Sequence, residues 1–208
     1  MVEIIIARHG NTFEKDETPR RVGSKTDIPL VGTGFLQAAE IGLHLQRTHW
    51  KPSLVVQGPL LRHKQTASGI VTATGWPLNL QLDTSLDEID YGVDENKTDA
   101  DVNARLGEDA LKLWDKNGIV PEGWKVDVDA MRASWKKLFE KLEAAKHKRV
   151  LIVTSNGTAR FVLSILENDP QEFLKLGTGK LGYITLDDGK YTLQRWNVDP
   201  KESTTLNF

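Results

Sequence analysis

Hydrophobic positions along the chain fall into two recurring patterns. Short runs rich in β-branched residues, Ile4-Ile5-Ile6-Ala7, Leu54-Val55-Val56 and the stretch 149–153, read as strands buried on both faces. Between them, apolar residues recur at helical spacing. Phe35, Ala38, Ala39, Gly42 and Leu45 predict a helix over 33–49 behind Thr33, which reads as its N-cap. A second helix is predicted over 60–74, closed at Gly75 just before Trp76-Pro77. Two more are predicted over 98–116 and 127–147, separated by the turn-prone Asn117-Gly118 and Pro121-Glu122-Gly123. A further helix, 157–166, follows the third strand. Residues 182–186 and 191–198, flanking Asp187-Asp188-Gly189, predict a hairpin.

Three strand–loop–helix units predict an α/β fold: a three-layer sandwich with a mostly parallel sheet and helices on both faces. No repeat or linker divides the chain, so residues 1–208 are expected to form a single domain, with an inserted helical and loop cap at about 90–125. In such sheets ligands bind past the carboxyl ends of the strands. Those ends carry Arg8-His9-Gly10, Gln57-Gly58-Pro59 and Ser155-Asn156-Gly157.

Composition narrows the chemistry. The 208 residues include no cysteine, which excludes a disulfide framework, a thiolate metal site and a cysteine nucleophile. Twenty-seven basic and 29 acidic residues leave a net charge of -2, which argues against nucleic-acid binding by bulk electrostatics. The apolar run near the start is too short for a signal peptide or a membrane span, so a cytoplasmic protein without a membrane partner is expected.

The strongest motif is Arg8-His9-Gly10-Asn11-Thr12, directly after the first strand. It sets a permanently charged fork donor beside an imidazole. Arg62 falls in the first turn of the second predicted helix, a poor place for a cation unless an anion lies between it and the helix terminus. Glu88, in the loop Leu86-Asp87-Glu88, offers a carboxylate.

Together with Gly23, Asp27, Pro29, Leu30, Gly34, the block Pro59-Leu60-x-Arg62-x-x-Gln65-Thr66-Ala67 and the block Leu86-x-Glu88-x-x-x-Gly92, these residues resemble the histidine phosphatase superfamily, the phosphoglycerate-mutase-like proteins. The likeness runs from residue 4 to about 166. It implies that His9 is a nucleophile forming a phosphohistidine, that Arg8 and Arg62 hold the phosphoryl oxygens, and that Glu88 is the general acid and then the base. Asn11, Thr12, Asn156, Gly157 and Lys15 complete the expected phosphate-binding set. No metal or cofactor is expected, and the partner is a small-molecule phosphate ester. Members of the family are often monomers or dimers.

One departure stands out. Where the family carries a second phosphate-binding histidine, this chain has Asn156. An amide donates a neutral hydrogen bond only, which would weaken catalysis about tenfold to a hundredfold. The lead expectation is a metal-independent phosphomonoesterase. Its alternatives are a weakened phosphate-binding or regulatory relative and, from the mutase-like members, a phosphotransferase. Asn11 and Gly58 stand where the family usually has an acidic residue and a serine, and Lys15 where an asparagine is common.

The other histidines read as bystanders. His63 adjoins Arg62, which leaves a compensating phosphate contact as an alternative, but helical neighbours point about 100° apart, which predicts a partly exposed spectator. His44, His49 and His147 read as structural or solvated. Gly32-Thr33-Gly34 fails as a dinucleotide fingerprint. The segment Gly177-Thr178-Gly179-Lys180 fails as a phosphate loop, with Leu174 and Leu181 at two required positions. Trp114, Trp124 and Trp135 read as core, with the substrate mouth a lesser option for Trp124. The mouth itself is expected from residues 12–25 and 90–125.

Overall fold

A computed structural model of the protein describes residues 1–168 and 175–202; Leu174 of the rejected phosphate loop lies outside them. The strands are β1 (Val2–Arg8), β2 (Leu54–Gln57), β3 (Leu80–Leu82), β4 (Arg149–Thr154), β5 (Leu181–Asp187) and β6 (Lys190–Val198). The helices are α1 (Gly32–Arg47), α2 (Leu61–Thr74), α3 (Asp99–Leu106), α4 (Glu108–Asn117), α5 (Val128–Ala144) and α6 (Asn156–Leu163). The strands form one sheet in the order β3-β2-β4-β1-β5-β6. The first four in that order run parallel, and β5 and β6 are antiparallel additions.

The period-two geometry of a strand divides the core between the two faces. Ile4 and Ile6 pack on one face with Val56, Ile152 and residues of α5 and α6, among them Leu138, Phe139 and Val162. Ile5 and Ala7 pack on the other with Val55, Leu151, Ile41 and Leu45 of α1, and Ala67 and Ile70 of α2. Burial on both faces is why these strands read as continuous apolar runs. Among the described residues, no helix is long and apolar enough to cross a membrane.

Several boundaries differ from expectation. Val31, not Thr33, is the N-cap of α1; the Thr33 hydroxyl, inside the first turn, accepts from Asn11 Nδ2 at 3.3 Å. The stretch 98–116 is two helices, because Gly107 takes φ 83° between them. Helix α3 begins with a reciprocal cap between Thr98 and Asp101. α5 ends at Ala144, and α6 runs from Asn156 only to Leu163. Strand β3 escapes the pattern because all three residues are exposed at the sheet edge. Its pairing with β2 makes it a strand, not its apolar content.

Topology places the site. β4 inserts between β1 and β2, so the chain after β4 arrives beside the ends of both. His9 donates its backbone N–H to Thr154 O and Gly58 to Val153 O, each at 3.0 Å, tying the three strand ends together.

Candidate active site

The loop after β1 carries the imidazole of His9, which is 5 % exposed. Its Nδ1 lies 2.7 Å from the Gly10 carbonyl, an acceptor, so Nδ1 holds the proton and Nε2 keeps a free lone pair. Burial, reinforced by the charges of Arg8 and Arg62, holds the His9 pKa well below 6.5.

Arg62 lies fully buried in the first turn of α2. Its Nη1 donates to Thr26 O at 3.0 Å and its Nη2 to Val22 O and Gly23 O, each at 3.2 Å. Arg8 donates from Nη1 to Leu176 O at 2.9 Å. In both guanidiniums Nε–H is buried without a partner among the described residues. Burial lowers the pKa of each arginine, against the opposing charge of Glu88.

The motif residues around α2 hold this frame. Asp27 Oδ1 accepts the Leu61 N–H at 2.7 Å, supplying from a distance the cap that Leu60 cannot provide. Thr66 donates its hydroxyl to Arg62 O and accepts from Gly10 N at 3.1 Å, which locks the His9 loop onto α2. Gln65 Oε1 accepts from Leu30 N at 2.7 Å.

Glu88 is buried, its Oε1 accepting from its neighbour Ile89 N at 2.9 Å and its Oε2 from Gly157 N at 3.3 Å. Burial raises its pKa above the ordinary 4.5, and Arg62, the Ile89 N–H, Arg8 and the Gly157 N–H pull against that rise. Gly157 is therefore buried with its N–H on Glu88, and any Cβ there would overlap the carboxyl.

Arg8, His9, Asn11, Thr12, Lys15, Glu88 and Asn156 line one chamber of about 700 Å³, whereas Arg62 and Gly157, also expected in the phosphate-binding set, are not part of its lining. Its outer walls come from Phe13, Arg20 and Arg21, from Tyr91, Asp99 and Asp115, and from Lys175 and Thr178. The stretches 12–25 and 90–125 thus both contribute, as expected. The wall from 175–178 was not anticipated from the sequence: Lys175 and Thr178 line the chamber and, behind them, Leu176 O holds Arg8 and Leu176 N donates to Asn156 Oδ1 at 2.7 Å. Thr178 adds a 2.5 Å hydroxyl bond to Asn11 Oδ1. Lys15 is exposed and has no partner among the described residues. Arg21 donates to Asp99 Oδ1 at 2.8 Å, and Arg20 lies 5.7 Å from the Phe13 ring.

His63 corrects the sequence reading. It is fully buried, with its ring centroid 5.7 Å from that of His9, and its Nε2 shares a 2.7 Å hydrogen bond with Ser155 Oγ. Neighbours 100° apart on a helix can both be buried when the helix terminus is enclosed on two sides, as α2 is here. The signal was Gly58: a Cβ there would overlap His63 Nδ1. His44 is structural, buried against Tyr183 Oη at 2.8 Å, while His49 is exposed. His147 Nδ1 lies 3.2 Å from Ser53 Oγ. Trp114, Trp124 and Trp135 are buried in the core.

With this geometry in place, comparison with known proteins adds kinship. The chain is 26 % identical over 205 residues to the uncharacterized phosphatase PhoE of Bacillus subtilis (strain 168), covering 96 % of each. It is 27 % identical over 184 residues to the 2,3-bisphosphoglycerate-dependent phosphoglycerate mutase 2 of Gloeobacter violaceus, covering 85 % of this chain and 81 % of that one. Its fold matches that of the mycobacterial glucosyl-3-phosphoglycerate phosphatase in complex with inorganic phosphate. The TM-score is 0.79 at 22 % identity, over 98 % of this chain and 100 % of the other. Residues 4–199 match the model of the histidine phosphatase superfamily, branch 1, and the chain belongs to that family.

Proposed function

We propose that the protein is a metal-independent phosphomonoesterase that hydrolyses a small phosphorylated metabolite through a phosphohistidine on His9. The observation that carries this reading is the state of His9: Nδ1 protonated and bound to Gly10 O and Nε2 left with its lone pair, beside two guanidiniums that each keep a buried N–H without a partner among the described residues. Nε2 attacks phosphorus and the ester oxygen leaves with a proton from Glu88. Water then attacks the phosphohistidine and gives its proton to Glu88, releasing inorganic phosphate and restoring both groups. Arg8 and Arg62 supply the positive charge that stabilises the phosphoryl oxygens in both steps.

The chamber is far larger than a phosphate, and its outer wall mixes Lys15, Arg20 and Lys175 with Glu14, Glu17, Asp99 and Asp115, which favours a substrate with further polar groups. The segment 90–125 acts as the cap over this space, contributing Tyr91, Asp99 and Asp115. Asn156 stands for the missing second histidine and favours a slower enzyme. Its extreme form is a second reading, a phosphate-binding relative with little turnover.

The test is phosphate release from 32P-labelled p-nitrophenyl phosphate in the presence of EDTA, with a denaturing quench at alkaline pH that preserves label on His9. Release with labelled His9, lost in His9→Ala, supports hydrolysis. Phosphate bound without turnover or label would establish the binding relative. Transfer that depends on a priming bisphosphate would establish the phosphotransferase.

A further inference from the structure

His63 is the buried imidazole that the reaction above leaves unused. Its Nδ1 has no partner among the described residues, so its proton sits on Nε2, which donates to Ser155 Oγ at 2.7 Å. It fills space that would otherwise belong to a side chain at Gly58.

Ser155 is the N-cap of α6, and serine is among the best residues for that position because Oγ accepts an N–H from the second or third helical residue. Here the serine makes no such bond. The N–H it would ordinarily take includes that of Gly157, the second residue of α6, and this N–H goes instead to Glu88 Oε2. The hydroxyl bound to His63 and the carboxylate bound to Gly157 are thus two halves of one exchange.

We propose that His63 is a positioning residue for Glu88: by engaging Ser155 Oγ it keeps that hydroxyl off the α6 terminus and reserves the Gly157 N–H for the carboxyl. This rests on Glu88 being the proton donor of the proposed reaction. Arg62 from α2, Arg8 from β1, Tyr91 from the loop beyond Glu88 and Arg160 from α6 also act on this carboxyl and are unchanged by the exchange. A hydrogen bond to the charged form lowers a carboxyl pKa, so losing it moves the Glu88 titration upward.

The experiment compares His63→Ala, Ser155→Ala and the double variant, following kcat, KM and the pH–rate profile on p-nitrophenyl phosphate. Alongside, the Glu88 carboxyl is titrated by 13C NMR with Glu88→Gln as the assignment control. In His63→Ala, Ser155 turns back to cap α6. kcat should fall about tenfold with KM little changed, and the alkaline limb should move to higher pH. In Ser155→Ala no hydroxyl competes and the profile should stay near wild type. The double variant should recover both kcat and the limb, a rescue that a merely structural histidine would not allow. His63→Gln, which can still donate to Ser155, guards against a folding defect and should retain the wild-type profile.

An unmoved carboxyl titration in His63→Ala, or a double variant no better than the single one, would overturn the proposal. If the carboxyl titration moves and is rescued while the rate profile does not, the positioning stands and the assignment of Glu88 as proton donor falls.

Discussion

Asn156 and Leu176 are joined by a 2.7 Å hydrogen bond from the Leu176 N–H to the amide oxygen, and the carbonyl of that same leucine holds Arg8. The asparagine thus ties the 175–178 wall to the β4–α6 corner. Asn156→Ala leaves the Leu176 N–H unpaired and loosens the wall that orients Arg8. KM for an aryl phosphate is expected to rise several-fold and kcat to fall by up to about tenfold. Asn156→His, adding a donor able to carry charge, is expected to raise kcat by about tenfold. Steady-state kinetics of both variants check this, and no gain in Asn156→His on an active parent would show that Asn156 is not a weakened ligand.

The pH–rate profile follows from two opposite shifts. In the proposed reaction the reactive form needs neutral His9 and protonated Glu88. At ordinary values of 6.5 and 4.5, only about 1 % of molecules would hold both states at the best pH. Burial lowers the first and raises the second, so the reactive form is more populated than that. The expected kcat/KM profile is a bell with its maximum on the acid side of neutrality. Its acid limb lies below 6.5 and its alkaline limb above 4.5. Glu88→Gln should remove the alkaline limb along with most of the rate for poor leaving groups.

Stability from the buried histidines should be lost in acid. The folded-state values of His9 and His63 both lie well below 6.5, so the unfolded chain binds more protons once the pH drops under that value. Their contribution is fully present above about pH 6.5 and disappears as the pH falls through the folded values. The raised Glu88 value acts in the opposite sense, so the histidine contribution is read as the difference in urea midpoints between wild type and His63→Gln across pH 7.5 to 5. The wild-type midpoint should fall relative to that of His63→Gln as the pH drops.

Arg62→Lys tests the fork geometry. The guanidinium spans Thr26 O with one arm and Val22 O and Gly23 O with the other, which a single ammonium cannot reproduce. The rate is expected to fall about a hundredfold or more. Leaving buried carbonyls unpaired costs about 1–3 kcal/mol, or roughly 2–10 °C in Tm for a chain of this size. Differential scanning calorimetry with parallel kinetics separates the two effects.

Arg160 anchors α4. Its Nη2 donates to Trp114 O at 2.7 Å and Asp115 O at 3.0 Å, and its guanidinium lies 4.0 Å from the Trp114 ring centroid. Burial lowers its pKa to about 10, which still leaves it charged at neutral pH. Arg160→Met is expected to destabilise the protein by about 1–3 kcal/mol and to shift tryptophan fluorescence. Because Asp115 lines the chamber, KM should rise as well.

The sequence by itself determined the sandwich and the family-level class of phosphatase. Ile4, Ile5 and Ile6 read as a strand buried on both sides, and period two then assigns alternate residues to opposite cores. Arg8, His9, Arg62 and Glu88 stood out through motifs that resemble the family's, and the fold brings their charges within reach of one another. Tertiary structure decided what depends on contacts across many residues. β3 exists only through its pairing with β2, and the 175–178 wall holds Arg8 through a backbone carbonyl that side-chain identity does not reveal. The burial of His63 follows from Gly58 just before α2 and from Ser155, 92 residues away in the chain, closing over the α2 terminus. A histidine's chemistry is written in its side chain, but whether it faces water or a second imidazole is set by the elements that close over it.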